Sequence, residues 1–134
     1  MKRRGVIHFP DFLNECAVYL GKLRNLVNYD LNEKYGKYKR GDRSEAVNIL
    51  GARAELVFGF HLFVTGVGYK MGRLLANRPL AEPDMVVEGE KDGELRDFNV
   101  DVKGVRKEGE YLMVNKVAHE KEKGVDYYVF VQFA

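Results

Sequence analysis

The chain has 134 residues, of which 46% are hydrophobic and 12% aromatic, so it is long and apolar enough for one domain with a packed core and is not disordered. Its single cysteine, Cys16, excludes an internal disulfide and a cysteine-based metal cluster. The net charge of +2 combines a basic segment, residues 1–43, with an acidic remainder. That asymmetry suits a protein that holds a polyanion with one part and a cation with another, or it is ordinary scatter of solvated charge.

The N-terminus starts basic, but no seven-residue apolar stretch follows before Pro10, which argues against a secretory signal. The longest apolar run, near residues 56–67, is too short to cross a bilayer. We therefore expect an intracellular, cytoplasmic protein.

Two helices are predicted in the first half of the chain. Pro10 and Asp11 open the first helix, and Ser44 with Glu45 starts a second one that runs to about Val64. The apolar residues at helical spacing in the first helix are Phe12, Leu13, Ala17, Leu20, Leu23 and Val27.

A basic segment, residues 32–43, separates the two helices. Its two tyrosines can stack on bases or sugars while cationic side chains contact phosphates, or the segment is a solvated loop. The candidate phosphate contacts are Lys37, Lys39, Arg40 and Arg43.

The second half of the chain predicts strands. Residues 65–73 form a glycine-rich connection that lacks the spacing of a phosphate-binding loop. Asp92 and Gly93 are a hairpin signal between two strands, and the last predicted strand is apolar enough to be buried on both faces. The predicted elements are strands at 83–89, 97–104, 107–114 and 126–133, with a helix at 115–123. The order α-α-β-β-β-α-β predicts an α/β fold with a mixed sheet.

Glu55 is an acidic residue in the apolar second helix, flanked by Gly51 and Gly59 one turn away on each side. Each glycine costs helix stability of about 1 kcal/mol relative to alanine. Two of them indicate close approach to a sheet or room for water, metal or phosphate beside the acid. The alternatives are a surface glutamate or an ion pair with Arg53 or another basic residue.

Asp84, Asp101 and Lys103 form the second candidate group. Residues alternate across a strand, so Asp101 and Lys103 share a face, and a hairpin closed at Asp92 and Gly93 puts residue 84 opposite residue 101. Two carboxylates across a hairpin repel unless a cation lies between them, and Mg²⁺ prefers such oxygen ligands. Lys103 would then stand beside the metal-bound water.

These motifs resemble those of the PD-(D/E)XK nuclease superfamily: "PD" at 83–84, "DVK" at 101–103 and an upstream helical glutamate. The predicted α-β-β-β-α-β order from Ser44 onward is similar to the restriction-endonuclease-like αβββαβ core. The resemblance covers residues 44–134, with residues 1–43 as an N-terminal helical and basic extension of a single compact domain.

The resemblance implies Mg²⁺-dependent hydrolysis of DNA phosphodiester bonds, with Mn²⁺ able to substitute. It implies that Asp84, Asp101 and the Val102 carbonyl bind the metal, that Lys103 positions or activates the attacking water, and that Glu55 holds a second metal or a metal-bound water. The product would be a cleaved phosphodiester, commonly with a 5′-phosphate.

Polar residues after the motif are further candidates. Arg106 and Lys107 contact the nucleic-acid backbone or end the strand in solvent, and Lys116 is a phosphate contact or part of a solvated helix face. Asn115 and His119 lie on the same predicted helix, where similar proteins often place a polar side chain near the site.

Three hypotheses remain open from the sequence. The first is a Mg²⁺-dependent DNA endonuclease, acting as a homodimer if it cuts duplexes. It could be a Holliday junction resolvase, or a restriction-like, viral or mobile-element enzyme in which residues 1–43 bind DNA or dimerise. The second is a non-catalytic nucleic-acid-binding module on the same fold, which gives no reason to keep mutually repelling acids. The third is an unrelated α/β protein in which these charges form surface ion pairs, which predicts Asp84 and Asp101 far apart or on different faces.

Overall fold

A computed structural model describes residues 5–35, 44–72, 83–105 and 124–133. These residues form a mixed α/β structure in which two helices accompany a four-stranded mixed sheet. The helices are α1 (Phe12–Tyr35) and α2 (Ser44–Val64), and the strands are β1 (Tyr69–Met71), β2 (Met85–Lys91), β3 (Glu94–Val105) and β4 (Tyr127–Gln132). The sheet order is β1-β2-β3-β4, with the first three strands antiparallel and β4 parallel to β3.

Both predicted helices are confirmed, and α2 has the predicted ends. The first helix runs on to Tyr35, into the basic segment that the sequence predicts to separate the helices from residue 32 onward. The helices pass each other in opposite senses, because Arg53 donates to Asn14 at one end of α1 (2.7 Å) and Asn48 donates to Asn25 further along it (3.4 Å). Gly21 allows this close approach, since a Cβ there would lie 2.4 Å from the Ile49 Cα atom. The α1 helix of the N-terminal extension therefore packs directly on the helix that carries Glu55.

The core lies between α2 and the sheet. One face of α2 packs against alternate residues of the strands, as the period-two pattern of β3 predicts. The buried residues of this core are Leu13, Ala54, Val57, Leu62, Met85, Val100, Val102, Val131 and Phe133. Gly104 brings β3 close to α2, because a Cβ there would lie only 2.7 Å from the Leu50 carbonyl oxygen.

Arg53 of α2 lies at the edge of the core and is half-buried. Its guanidinium carbon lies 3.7 Å from the centroid of the Phe133 ring, in a cation–π contact. Burial lowers the pKa of Arg53 from its ordinary value because desolvation disfavours the charged form.

The predicted hairpin is confirmed in its turn and its register. Asp92 and Gly93 both have positive φ, 55° and 80°, as the two-residue turn that matches strand twist requires. Met85 pairs with Val100 and Lys91 with Glu94, so the register continues to Asp84 opposite Asp101.

The edges of the sheet differ from the prediction. Residues 69–71, expected in a glycine-rich connection, form β1 and pair with β2. A three-residue strand between glycines is too short to show an alternating pattern. The last strand was expected to be buried on both faces, but β4 is an edge in the described sheet, and Tyr127 and Phe130 are exposed there.

Two predicted elements, the strand at 107–114 and the helix at 115–123, lie outside the described residues. The parallel pairing of β3 with β4 nevertheless sets a condition on the connection between them. Parallel neighbours need a crossover of about a dozen or more residues, and residues 106–126 are enough for one.

The apolar character of α2 extends further than the sequence reading assumed. By length and composition alone, Glu45–Val64 could cross a bilayer, whereas only residues 56–67 were counted as the longest apolar run. The expectation that no segment is long enough is therefore corrected. In the described structure this helix packs against α1 and the sheet, as a core helix does.

Candidate active site

Asp84 and Asp101 are joined by a hydrogen bond at the start of β2. The backbone N–H of Asp84 donates to the Asp101 carboxylate (Oδ1, 3.1 Å), and the backbone N–H of Val102 donates to the Asp84 carboxylate (Oδ2, 2.8 Å). Both aspartates are buried. The Asp84 carbonyl also accepts from the Gly72 N–H at 2.8 Å, so this residue is fixed on three sides. The predicted juxtaposition of the two acids is confirmed.

The sheet itself explains why a carboxylate reaches this edge of β3. The carbonyls of Asn99 and Val105 accept hydrogen bonds from the β4 side. Backbone groups alternate in direction along a strand, so the N–H and C=O of Val102 point away from β4, to the side of β2 and just beyond its first residue, Met85. The register sets Pro83 opposite Val102, and proline has no N–H to donate to the Val102 carbonyl. The Val102 N–H donates to the Asp84 side chain, and the Val102 carbonyl faces the same edge.

Lys103 shares the face of β3 that carries Asp101, and its side chain is half-buried. The neighbouring residues on β4 are aromatic: Tyr128 pairs in register with Asp101, and Phe130 with Lys103. Their rings stack, with centroids 6.5 Å apart and an interplanar angle of 12°. Sequence reasoning assigned these rings to a doubly buried strand and missed that they flank the acid and the lysine.

Glu55 is buried in α2, and Asn48, Gly59 and Leu62, which lie at helical spacing from it, are buried too. Its carboxylate forms an ion pair with Arg24 of α1. The predicted alternative of an ion pair between Glu55 and a basic residue is therefore confirmed. The partner is Arg24 and not Arg53, which donates to Asn14. No atom of the described residues lies within 4 Å of the position a Cβ would take at Gly51, whereas a Cβ at Gly59 would be in ordinary contact with Tyr69, Met71 and Met85.

The donor set of the aspartate pair fits a hard divalent cation. A carboxylate has about four lone-pair sites, so accepting one hydrogen bond leaves capacity for a metal. The Val102 carbonyl is a third oxygen on the same edge. Among the described residues no three acidic, histidine or cysteine side chains form a metal-binding group, so the structure does not bring Glu55 to the two aspartates. Its carboxylate is paired with Arg24.

The remaining predicted contacts to nucleic acid fall outside the described part of the chain, as do Asn115 and His119. They are Lys37, Lys39, Arg40, Arg43, Arg106, Lys107 and Lys116. Their roles stay predictions.

Arg24 is the residue near the candidate site that sequence reasoning missed. It lies 31 positions before Glu55, and only the packing of α1 on α2 brings the two together. One signal was present: Arg24 follows Leu20 and Gly21 by one turn, on the side of α1 that packs on α2.

No family model, no curated protein and no solved structure matches the chain. The geometry of Asp84, Asp101 and Lys103 therefore carries the functional argument.

Proposed function

We propose that the chain is a Mg²⁺-dependent DNA endonuclease with a PD-(D/E)XK-type site on a restriction-endonuclease-like core. The observation that carries the proposal is the pairing of two buried aspartates, Asp84 and Asp101, joined by a hydrogen bond from the Asp84 backbone to the Asp101 carboxylate, with Lys103 on the same strand face. Like charges buried on neighbouring strands repel, and a divalent cation bound to both would relieve the repulsion. The third sequence hypothesis, surface ion pairs, expects these aspartates far apart.

The arrangement of elements supports the proposed core. From α2 onward the described elements are one helix, three antiparallel strands and a strand parallel to the third. This is compatible with the αβββαβ order if the crossover between β3 and β4 contains a helix, as parallel connections usually do. In this scheme β1 takes the place that the sequence reading gave to residues 107–114.

The proposed chemistry divides among three side chains and one carbonyl. Asp84, Asp101 and the Val102 carbonyl would hold the ion. When bound, Mg²⁺ supplies a Lewis acid and lowers the pKa of a water ligand. Lys103 would orient the attacking water and stabilise negative charge that develops on the phosphate. The hydrogen bonds between Asp84, Asp101 and Val102 hold the carboxylates in place before the ion arrives.

Glu55 has a less direct role in this proposal. The family resemblance gives it a second metal or a metal-bound water, but its carboxylate is paired with Arg24. To bind an ion directly, Glu55 would have to exchange the guanidinium for the metal. Otherwise the pair fixes α1 on α2, and Glu55 acts as a positioning residue.

The proposal is tested by cleavage of end-labelled DNA: a single strand, a duplex, a flap and a four-way junction, each with Mg²⁺, Mn²⁺ or EDTA. We expect cleavage that requires the metal, with Mn²⁺ substituting. Asp101→Asn and Lys103→Ala should each reduce the rate at least about 100-fold, the scale of removing one electrostatic group from a transition-state site. Asn keeps the shape of Asp and an acceptor oxygen, so Asp101→Asn tests the charge rather than the fold.

Matched controls lie on the same hairpin. Asp97→Asn changes an exposed aspartate on the same face of β3, and Lys91→Ala removes an exposed lysine near the turn. Both should cleave as the unchanged protein does. Preference for the junction would indicate resolvase-like activity. Salt-sensitive binding without cleavage would overturn the endonuclease in favour of a binding module, and absence of both cleavage and binding would overturn both.

A further inference from the structure

The outward side of α1 carries a line of apolar residues that the described structure leaves exposed. They follow one another at intervals of four, three, four and three residues, and we call them the α1 stripe: Phe12, Cys16, Tyr19, Leu23 and Leu26. The four large members are each between 47% and 73% exposed. The opposite side of the helix, with Leu13, Ala17 and Gly21, is buried.

The spacing of the α1 stripe is that of a coiled-coil seam. Alternating steps of three and four average 3.5 residues, the period at which one side of a helix stays against a partner helix. A helix that only covers a domain core presents charged and polar residues to solvent on its outer side. In α1 the solvent-exposed side carries regularly spaced apolar residues, as a buried side does, which indicates a second helix-packing surface.

Charge complementarity identifies the occupant as a second copy of the chain. Glu15 and Lys22 are both exposed and are seven residues apart, so they flank the α1 stripe on one side. When two α1 helices pack antiparallel about a two-fold axis, Glu15 of each copy lies next to Lys22 of the other. In a parallel pair the same position faces Leu20 instead, so the charges favour the antiparallel arrangement.

We propose that the α1 stripe is the interface of a homodimer in which the two α1 helices pack antiparallel, with Tyr19 of each copy against Cys16 of the other. Phe12 then lies against Leu23 of the second copy, and the interface is isologous. This proposal does not depend on nuclease activity, because none of its residues belongs to the candidate site.

Sedimentation velocity over a concentration series tests the proposal. The unchanged protein should be dimeric, and Tyr19→Asp and Leu23→Asp should each shift it to monomer, since a carboxylate would be buried in the seam. The matched control is Leu95→Asp, at a leucine that is 88% exposed on the hairpin. It should leave the dimer unchanged. Circular dichroism must show equal helicity in all variants.

Charge reversal tests the antiparallel orientation. Glu15→Lys and Lys22→Glu should each raise the dimer dissociation constant roughly tenfold at low salt, because both symmetric ion pairs become repulsive. The double variant restores opposite charges and should restore the affinity. If the single variants weaken the dimer but the double variant does not restore its affinity, the antiparallel register is overturned.

Cys16 reports on the seam directly. A short bis-maleimide should cross-link two copies through Cys16, and Cys16→Ser should abolish the product. A protein that is monomeric at all concentrations overturns the proposal, whether the α1 stripe is then open to solvent or covered by another part of the same chain. So does a dimer that survives Tyr19→Asp and Leu23→Asp.

Discussion

The described structure buries acidic side chains in two places, and the groups that contact them differ between the two. In the helix pair, Glu55 of α2 meets a cation, Arg24 of α1. At the end of the hairpin, Asp84 and Asp101 meet each other, and backbone N–H groups donate to both carboxylates. An ion pair neutralises the charge that it holds, whereas a backbone N–H orients a carboxylate and leaves its full charge in place.

This difference separates a stabilising role from a binding role. A buried carboxylate with its own cation has little left to gain from a metal. Two carboxylates that accept hydrogen bonds from backbone donors are the ligand pair that we propose for a divalent cation. Asp84 and Asp101 are therefore the better candidates for direct metal contact, although the family resemblance named all three acids together.

The largest expected effect is the loss of the helix-pair cation. Arg24→Ala leaves Glu55 buried without its partner guanidinium, and the free energy of unfolding should fall by about 3–5 kcal/mol. Urea unfolding followed by circular dichroism measures it. The control is Arg96→Ala, which breaks the half-exposed ion pair with Asp126 and should cost less than about 1 kcal/mol. Equal losses in the two variants would contradict the assigned difference between buried and exposed pairs.

A smaller effect is expected at the hairpin acids. Asp84→Ala leaves the Val102 N–H without its acceptor and should cost about 1–3 kcal/mol. Asp84→Asn keeps an acceptor oxygen and removes the repulsion from Asp101, so it should be clearly more stable than the alanine variant. Thermal unfolding of both variants without metal gives the comparison. Identical melting temperatures would show that the hydrogen bond to Val102 contributes nothing.

The smallest effect concerns the space beside Glu55. In the described part of the chain, the new Cβ of Gly51→Ala meets no atom within 4 Å, and the variant should stabilise α2 by about 0.5–1 kcal/mol, because alanine is the better helix former. Gly104→Ala is the contrasting control and should destabilise, since its Cβ would meet the Leu50 carbonyl. Urea unfolding measures both. If Gly51→Ala is stable but loses DNA cleavage, the open space serves the site rather than the fold.

Local signals in the sequence predicted much of the fold. Ser44 with Glu45 gave the start of α2, and its apolar run gave its end. Asp92 and Gly93 fixed the hairpin turn, and simple counting from that turn placed Asp84 opposite Asp101. These features depend on residues close in the chain or on the two-residue period of a strand, so a single sequence contains them.

Features that depend on packing between distant segments were not predictable. The Arg24–Glu55 pair requires knowing which helix face meets which, and periodicity gives a face without its partner. The apolar positions of α1 illustrate this: Leu13 and Ala17 are buried, but Phe12 and Leu23 are exposed on the other side. Strand β1 was missed because three residues carry no period, and the edge position of β4 follows from sheet order rather than from its own composition.

The hairpin also restricts how this gene can change in length. Asp84 and Asp101 are seventeen residues apart, and they meet because the two-residue turn divides that interval evenly. Inserting one residue in a single strand would slip the register and turn one acid to the opposite face. If the two-residue turn is kept, Asp84 and Asp101 stay opposite each other only when both strands change in length equally. They also keep their face and the hydrogen-bond pattern beside the turn only when each strand gains or loses two residues, because both repeat every two residues. Homologous sequences that keep this site should therefore differ in the interval by multiples of four, which makes the spacing itself a heritable signature of the site.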